Sequence, residues 1–325
     1  MSKAIRIHAH GGPEVLTFEE ADPGRPGPGQ ALIRHTAIGL NFIDVYFRTG
    51  LYPAPNGLPL VPGGEGAGVV IEVGEGVDWL KPGDRVAYAV NIGAYAEQRV
   101  IAADRLVKVP DGISDEQAAA MMLKGMTAEY LLNRTYKVKA GDTILFHAAA
   151  GGVGLLAGQW ARHIGAVTIG TAGSADKVEL ARAHGYDHVI NYREQDFVAE
   201  VARITGGQKC EVVYDSVGKD TFEGSLDCLK PLGLLALFGQ SSGPVPPFNL
   251  GVLSQKGSLY ITRPTLFVYV AKREDLVASA KALFDVVASG AVEVRINQRY
   301  ALKDAAKAHA DLEARRTTGT TILVP

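Results

Sequence analysis

The chain has 325 residues, of which 47% are hydrophobic and 21% are charged, and its 33 basic residues nearly balance 35 acidic ones. This length exceeds what one hydrophobic core usually organises, so it predicts two domains with a cleft where they meet. The composition excludes a disordered or fibrous protein. A net charge of −2 disfavours nucleic acid and anionic membranes as partners, because no positive surplus would attract them.

Cysteine usage and the N-terminus bear on the cellular location. The two cysteines, Cys210 and Cys228, both lie in segments predicted to be inside one domain, which excludes a disulfide framework and a four-thiolate metal site. The first residues alternate like a strand, and the sequence has no run of about 18 apolar residues. We therefore predict a cytoplasmic protein without a membrane span.

The first third of the chain is predicted to be rich in β-strands. From Lys3 to about Met121, Gly and Pro separate short alternating runs, which is typical of an irregular barrel-like unit. The predicted strands are residues 4–7, 30–38, 66–73 and 84–88.

A different pattern begins at Ser114. This serine, followed three residues later by Gln117 and then by an apolar helical run, forms a capping box and predicts a helix start. Apolar runs then alternate with helical stretches, as in a parallel sheet covered on both faces. The predicted strands are residues 143–147, 167–171, 189–192, 211–216, 234–238 and 259–262, with helices beginning near Val153, Ser174, Glu194 and Lys219. Six such strands predict a doubly wound α/β domain.

After about residue 265 the pattern changes again. It predicts a long helix over residues 273–289, a strand around 292–300, a helix over 303–315 and a last strand over 320–324. Because this last strand alternates like the strands near the N-terminus, we expect it to return to the β-rich unit. The predicted domains are residues 1–124 with 266–325, and an inserted α/β domain over residues 125–265.

The first predicted strand of the inserted domain runs into a glycine-rich turn. Ala149, Gly151 and Gly154 have the spacing of a G-x-G-x-x-G motif, with a strand before and a helix after, and this context predicts dinucleotide binding. Gly151 would let the backbone approach a pyrophosphate, and Gly154 would let helix and strand pack closely. The N–H groups at the helix start would receive the negative charge.

The end of the next strand indicates which dinucleotide is bound. Proteins that bind NAD place an Asp or Glu there for the ribose hydroxyls, but here the strand ends in Thr171-Ala172-Gly173-Ser174. Gly173 and Ser174 open the next helix, and Lys177 lies in its first turn, which suits an added 2′-phosphate. We predict NADPH, with Tyr192 near the adenosine; the alternative interpretation of Lys177 is a solvated surface lysine.

Residues 141–162, which contain this turn, resemble the quinone oxidoreductase (ζ-crystallin) signature of the medium-chain dehydrogenase/reductase superfamily. The resemblance extends over the whole chain, including residues 10–16, 41–53 and 213–218. The sequence looks most like the bacterial NADPH:quinone reductases. It implies a Rossmann NADPH-binding domain inserted in a GroES-like catalytic domain. It also implies a homodimer, in which the last Rossmann strands pair across a two-fold axis.

The resemblance also implies which residues bind the cofactor. With the motif residue Gly151, the expected NADPH contacts are Tyr46, Thr127, Gly152, Val153, Gly173, Ser174, Lys177, Tyr192, Ser216, Phe238, Gly239, Gln240, Ser241 and Ser242. The segment around Arg263, Pro264 and Thr265 would flank the nicotinamide.

The residues that hold zinc in related alcohol dehydrogenases are absent. Those enzymes use a Cys in an early turn, the His of a Gly-His-Glu motif and a later Cys or acidic group. Asn41 stands at the first position here, and the second motif reads Gly63-Gly64-Glu65. A zinc site needs three or four N, S or O ligands. We therefore predict an enzyme without metal.

Without zinc, the substrate must already accept a hydride readily, as quinones and conjugated enones do. Catalysis would hold the acceptor in the cleft against the nicotinamide and place hydrogen-bond donors at its oxygen. The candidates are Asn41, Tyr46, Tyr52 and Arg263. In the alternative interpretation the tyrosines only pack, and Asn41 only caps the helix over residues 42–48.

The predicted function is NADPH-dependent reduction of quinones. One alternative is an NADPH-dependent reductase of enones or 2-enoyl thioesters, which the sequence separates poorly from a quinone reductase. Another is an NADPH-binding structural or RNA-binding protein. The balanced charge disfavours this last alternative, because RNA binding usually requires a basic surface.

Overall fold

The computed structural model describes residues 2–325; Met1, part of the predicted first domain, lies outside the described residues. The chain forms two compact units. The first contains residues 2–126 together with Val270–Ala288 and Val294–Pro325, and the second contains Thr127–Tyr269 and Ser289–Glu293. None of the helices in residues 2–325 has the length and apolar character needed to cross a membrane.

The first part of the chain is built mainly from strands. Its elements are β1 (Lys3–Arg6), β2 (Thr17–Glu20), β3 (Gln30–Gly39), α1 (Phe42–Thr49), β4 (Glu65–Val73), β5 (Arg85–Ala89), β6 (Gln98–Ala102), β7 (Val107–Lys108) and α2 (Asp115–Tyr130), with 3-10 turns at Pro13–Val15 and Ala103–Arg105. The four strands predicted here are confirmed, with ends that differ by one residue or less.

The middle of the chain alternates strands and helices. After a π-helical turn at Leu131–Thr135, the elements are β8 (Thr143–Phe146), α3 (Gly152–Ile164), β9 (Val167–Ala172), α4 (Ala175–Arg182), β10 (His188–Asn191), α5 (Phe197–Ile204), β11 (Cys210–Asp215), α6 (Phe222–Asp227), β12 (Leu229–Leu237), α7 (Gly251–Gln255), β13 (Tyr260–Thr262) and α8 (Leu266–Tyr269). All six predicted strands are confirmed.

Helix starts depend on local caps. The capping box at α2 is confirmed: the N–H of Ser114 donates to Gln117 Oε1 (3.0 Å), and the N–H of Gln117 donates to Ser114 Oγ (3.1 Å). The helix predicted to begin near Glu194 starts instead at Phe197. The side chain of Asp196 accepts from the N–H of Val198 at 2.9 Å, which makes Asp196 the N-cap.

The last part of the chain contains α9 (Arg273–Ala288), β14 (Ile296–Ala301), a 3-10 turn at Leu302–Asp304, α10 (Ala305–Glu313) and β15 (Thr320–Val324). As predicted, β15 returns to the β-rich unit, where it pairs antiparallel with β3 and parallel with β14. The expected alternation of this strand is wrong. Four consecutive residues of β15, 320–323, are all buried, so the strand does not alternate between core and solvent.

The first unit carries a seven-stranded sheet. Its strand order is β14-β15-β3-β4-β5-β7, and β6 also pairs with β3, while β1 and β2 form a separate hairpin. The core beneath these strands contains Ile33, Val70, Tyr88 and Tyr95, joined by Leu302 and Leu323 from the end of the chain. Residues from both ends of the sequence therefore share one hydrophobic core.

The second unit carries a six-stranded parallel sheet in the order β10-β9-β8-β11-β12-β13. Numbered within the unit, this is the order 3-2-1-4-5-6 of the doubly wound dinucleotide-binding fold, so the predicted fold class is confirmed. Because the strands are parallel, their carboxyl ends lie at one edge of the sheet. The two cysteines are buried in this unit as free thiols, as expected.

Candidate functional site

The carboxyl edge of the parallel sheet gathers most of the residues predicted to bind the cofactor. Each follows the end of a strand or opens the next helix, and ligands of doubly wound sheets bind at this edge. These residues are Gly151, Gly152 and Val153 after β8, Gly173, Ser174 and Lys177 after β9, Tyr192 after β10, Ser216 after β11, Phe238, Gly239, Gln240, Ser241 and Ser242 after β12, and Arg263 and Thr265 after β13.

The glycine turn brings the start of α3 against the end of β8. Gly151 is the N-cap of α3, and its N–H donates to the carbonyl of Ala148 (2.9 Å). A methyl group on Gly154 would lie 2.5 Å from Ala148 O and 2.6 Å from Ala149 O. Only glycine fits there, so the predicted packing role of Gly154 is confirmed. The N–H groups in the first turn of α3 lie at this edge of the sheet. Because they have no acceptor within the helix, they suit a pyrophosphate.

The second cofactor segment joins the ends of β9 and β10. A methyl group on Gly173 would lie 2.5 Å from the hydroxyl oxygen of Tyr192, so the tyrosine closes over this glycine. Ser174 is the N-cap of α4, and Lys177 is half-buried in the first turn. A helix start with a hydroxyl, a lysine and a neighbouring phenol fits the 2′-phosphate of NADPH.

Two further turns at this edge are held to each other. The N–H groups of Ser241 and Ser242 donate to the carbonyls of Ser216 (3.1 Å) and Val217 (2.9 Å). Ser242 Oγ also donates to Val217 O (2.8 Å). The turns after β11 and β12 therefore act as one piece of backbone.

Asp215, the last residue of β11, holds these turns from below. Its Oδ1 accepts from the N–H groups of Val217 (2.7 Å) and Gly218 (3.0 Å). Its Oδ2 accepts from the hydroxyls of Thr221 (2.7 Å) and Ser225 (3.0 Å). Four donors converge on this fully buried carboxylate, which satisfies it and fixes the turn above it.

His147 extends this network across the sheet. Its Nε2 lies 3.0 Å from Ser225 Oγ, and its Nδ1 lies 3.0 Å from Thr171 Oγ1. The Ser225 hydroxyl donates its hydrogen bond to Asp215, so its oxygen must accept from His147. We therefore assign the ring proton to Nε2, and Nδ1 then accepts from the Thr171 hydroxyl. Burial lowers the pKa of His147, in agreement with a neutral ring. The network thus ties the ends of β8, β9 and β11 together.

The remaining predicted residues of the second unit are less tightly grouped. Arg263 donates from Nη1 to the carbonyl of Leu237 (3.0 Å), which places it beside the end of β12. Thr265 is exposed just before α8, and Thr127 is buried in α2. Tyr269 of α8 stacks on Tyr130, with ring centroids 4.4 Å apart.

In the first unit, the structure brings three of the predicted acceptor-binding residues to one helix and the turn after it. Asn41 is the N-cap of α1, as in the alternative interpretation, Tyr46 lies within α1, and Tyr52 follows it. The rings of Tyr46 and Tyr52 are 5.2 Å apart, and the N–H of Tyr52 donates to Tyr46 O (3.0 Å). Arg263, the fourth candidate, belongs to the second unit.

The side chain of Asn41 contacts a buried ion pair. Its Nδ2 donates to Glu65 Oε2 (2.8 Å), and the ammonium group of Lys124 donates to the same oxygen (2.9 Å). The other carboxylate oxygen of Glu65 accepts from the N–H of Leu123 (2.7 Å). Glu65 is fully buried and Lys124 is 5% exposed, so each charge depends on the other for compensation.

A second buried chain of polar groups starts at Asp44, in the first turn of α1. Asp44 accepts from the N–H groups of Asn41 (2.9 Å) and Gly64 (3.2 Å) and from the Tyr95 hydroxyl (3.0 Å). Burial raises the pKa of Asp44 to about 7, although the hydrogen bonds from Asn41 and Tyr95 oppose the rise.

This chain continues to α10. The Tyr95 oxygen lies 3.0 Å from His309 Nε2, and Arg48 Nη1 lies 3.0 Å from His309 Nδ1. Arginine can only donate, so Nδ1 must accept, and His309 is neutral with its proton on Nε2. Burial, with the nearby Arg48 charge, lowers the pKa of His309 to about 3. All the hydrogen bonds then point toward Asp44, which fixes the direction of the chain.

No three His, Cys, Asp or Glu side chains within residues 2–325 gather in a group that could hold a metal ion. The zinc-ligand positions of the related dehydrogenases are occupied by Asn41 and Gly64. The carboxylate of Glu65 is directed to Lys124, Leu123 and Asn41.

Three buried residues beside these sites were not predicted from the sequence. In the sequence, Glu65 stands out only as the neighbour of a missing zinc ligand, although Lys124, a charge in the apolar run after Met121, is a signal for a buried acidic partner. Asp215 ends a buried strand, and an acidic residue at that position is a signal for a role at the carboxyl edge.

Comparisons with known proteins agree with this architecture. Two family models match, the alcohol dehydrogenase GroES-like domain over residues 27–111 and the zinc-binding dehydrogenase domain over residues 152–284. The quinone oxidoreductase of Pseudomonas aeruginosa is 56% identical over 100% of both chains.

Solved structures agree as well. The quinone oxidoreductase of Pseudomonas syringae pv. Tomato DC3000 has a TM-score of 0.98 and 53% identity over 100% of both chains. That of Escherichia coli, solved in complex with NADPH, has a TM-score of 0.97 and 52% identity, covering 99% of this chain and 100% of that one. These findings confirm the predicted resemblance, and the chain belongs to the NADPH:quinone oxidoreductase family of the medium-chain dehydrogenase/reductase superfamily.

Proposed function

We propose that the chain is an enzyme that reduces quinones with NADPH as its cofactor. The observation that carries this proposal is the 56% identity with a quinone oxidoreductase over the whole of both chains. The carboxyl edge of the parallel sheet supports it, since the glycine turn and the Gly173–Tyr192 segment offer groups that suit a dinucleotide with a 2′-phosphate.

NADPH, when bound, supplies the hydride. The chain's own residues would hold it: the N–H groups that open α3 would receive the pyrophosphate, and Ser174 and Lys177 would receive the 2′-phosphate. The linked turns after β11 and β12 would contact the cofactor, and Asp215 keeps these turns in position. Arg263 and Thr265 would lie beside the nicotinamide.

The acceptor is held against the nicotinamide without a metal. Asn41, Tyr46 and Tyr52 offer an amide and two hydroxyls near one helix start, which suits the carbonyl oxygens of a quinone. Hydrogen-bond donors placed where negative charge develops lower the barrier most when they are fixed beforehand. The packed pair of tyrosine rings and the capping position of Asn41 provide this preorganisation.

Stopped-flow loss of NADPH absorbance with a benzoquinone tests the proposed function, with cyclohexenone, an alkenal and simple alcohols as comparison substrates. We expect fast turnover with the quinone and little with the others, and no change after dialysis against a chelator. Turnover confined to the alkenal or enone would indicate the alternative reductase. NADPH binding without any turnover, together with an RNA gel shift competed by NADPH, would indicate a binding protein.

Lys177→Ala tests the cofactor preference. Losing one charge-assisted contact should weaken NADPH binding about tenfold and leave NADH binding unchanged. Lys272→Ala serves as the matched control, because Lys272 is a highly exposed lysine of the first unit. Equal losses for the two dinucleotides would contradict the proposed phosphate contact.

We also propose a homodimer that forms through the edge of the parallel sheet. β13 is an edge strand, and Tyr260 on it is 60% exposed, while Leu232 in the neighbouring strand β12 and Leu250 just before α7 are also exposed. An unpaired apolar edge favours pairing with a second copy. Light scattering after size-exclusion chromatography should show a dimer for the native chain and a monomer for Tyr260→Lys, with Val277→Lys as the control. A monomeric native chain would refute this.

A cytoplasmic location is part of the same proposal. Two buried free thiols, Cys210 and Cys228, support a reducing compartment. Cell fractionation with a tagged chain would test it, and recovery of the chain outside the cytoplasmic fraction would contradict it.

A further inference from the structure

The ion pair between Glu65 and Lys124 carries a large desolvation cost, because both charges are buried. The function proposed above assigns it no role. Its side chains are 0% and 6% exposed, and its N–O distance is 2.9 Å. Charges taken out of water in this way are often no more stabilising than apolar residues of similar size. Stability alone therefore gives little reason for the pair, and its contacts point to another role.

The Glu65 carboxylate, together with the capping box at the start of α1, determines how the Asn41 amide is oriented. A carboxylate can only accept hydrogen bonds, so the contact between Glu65 Oε2 and Asn41 must involve the amide nitrogen. Glu65 itself is held by the Leu123 N–H on one oxygen and the Lys124 ammonium on the other. One N–H of the Asn41 amide therefore donates to a fixed partner. Because the amide group is planar, the direction of its second N–H follows from that of the first.

The surroundings leave the carboxylate no alternative position. It lies so close over Gly39 at the end of β3 that a methyl group there would overlap it and the carbonyl of Ala119. The Lys124 ammonium donates to this carboxylate and holds it in place. A neutral amide at position 65 could instead donate to the amide oxygen of Asn41, which would turn the Asn41 amide around.

We propose that Glu65 and Lys124 are positioning residues, which hold the Asn41 amide so that its second N–H meets the oxygen of the quinone acceptor. The inference rests on the proposed function. The pair does not touch the acceptor but acts through Asn41. The pair lies next to positions 41 and 64, where related dehydrogenases have zinc ligands. In place of zinc, the fixed N–H of Asn41 would donate to the acceptor oxygen.

A double-mutant cycle tests the coupling between the pair and Asn41. The variants are Asn41→Ala, the paired change Glu65→Gln with Lys124→Met, and all three together. The paired change removes both buried charges at once. It also replaces a carboxylate, which can only accept, by an amide that can turn either its oxygen or its N–H groups toward Asn41, so the Asn41 amide is no longer held in one orientation. The readouts are kcat and KM for benzoquinone, and the Kd of NADPH by fluorescence.

We expect Asn41→Ala to lower kcat/KM for benzoquinone about tenfold, as for one lost hydrogen bond to developing charge, and the paired change to lower it by a similar factor. In the triple variant the loss should equal that of Asn41→Ala alone, because the pair has nothing left to orient. The Kd of NADPH should stay within about twofold in all three. A purely structural pair would give no such coupling.

Multiplied losses in the triple variant overturn the inference, as does an undiminished kcat/KM in the paired variant. If the paired variant does not fold, Glu65→Gln alone is used in the same cycle with the same expectations. Failure of the native chain to reduce benzoquinone overturns the proposed function and this inference together, whereas additive losses in an active protein overturn the inference alone.

Discussion

The first unit builds its buried polar chain from distant parts of the sequence, whereas the second unit builds its own from strand ends of one sheet. Arg48 and His309 are 261 residues apart, and Tyr95 and His309 are 214 apart. In the second unit, Asp215 and Ser225 are 10 residues apart, and His147 and Thr171 are 24 apart.

The charges in the two networks differ as well. The second network surrounds one carboxylate with hydroxyls, N–H groups and a neutral histidine. The first contains an arginine, a raised-pKa aspartate and a histidine kept neutral by burial. A parallel sheet thus brings polar residues together at the carboxyl ends of its strands, whereas the β-rich unit joins both ends of the chain by specific charged contacts.

The largest effect is expected when the arginine of the first network is removed. Arg48, 1% exposed, donates to Gly11 O (3.1 Å), His309 Nδ1 (3.0 Å) and the Glu313 carboxylate (2.8 Å). Arg48→Met leaves buried acceptors unpaired and should lower the free energy of unfolding in urea by about 3 kcal/mol.

The control for this variant is Arg182→Met, which breaks only the exposed ion pair with Glu179. A loss below about 0.5 kcal/mol is expected for the control. Similar losses for both variants would mean that the buried chain contributes no more than a surface pair.

The pH dependence of the free energy of unfolding gives a second test of the network in the first unit. The pKa of His309 falls from 6.5 to about 3 on folding, so below about pH 6.5 the unfolded chain takes up a proton that the folded chain does not. Native stability should therefore fall with pH through this window. The raised pKa of Asp44 acts in the opposite direction, because the folded chain binds the extra proton between about 7 and 3.8.

His309→Gln removes the contribution of His309 to the pH dependence of the free energy of unfolding. Asp44 is present in both the native chain and the variant, so its contribution cancels in the comparison. The stability gap between the native chain and this variant should narrow by about 2 kcal/mol from about pH 6.5 to 5, measured by urea unfolding. His163→Gln, at an exposed position of α3, is the control for the substitution itself. A gap that widens as the pH falls would refute the assigned neutral ring.

Two glycines of the second unit separate a folding role from a binding role. Gly154→Ala sets a methyl group against two backbone carbonyls and should cost about 2 kcal/mol of stability. In Gly151→Ala the nearest atom, Ala148 O, is 3.1 Å away, so we expect less than about 1 kcal/mol but clearly weaker NADPH binding. Equal thermal stabilities of the two variants would contradict this division.

A small effect is expected in the network of the second unit. Ser225→Ala removes one of four donors to Asp215 and the acceptor of His147, which should cost about 1 kcal/mol of stability. A looser turn above Asp215 should also raise the Kd of NADPH a few-fold. Ser254→Ala, at an exposed position of α7, is the control. An unchanged Kd would show that the turn is held without this network.

Local patterns made the elements of the second unit predictable. A buried parallel strand is a continuous apolar run, and the glycine turn, the capping box at Ser114 and the missing acid after β9 are short-range signals. The helix near Glu194 was misplaced, because Asp196 is the stronger N-cap. In β15, burial on both faces replaced the expected alternation, since neighbouring elements cover the strand on both sides.

The sequence by itself thus determined the fold class, the six parallel strands of the second unit and the glycine turn after the first of them, because these depend on periodicity and short-range spacing. Only the tertiary structure decided that Glu65 faces Lys124 and Asn41, and that His309 reaches Arg48 and Tyr95. Hydrogen bonds between segments so far apart leave no periodic trace, since each residue's neighbours exist only once the β-rich unit has closed.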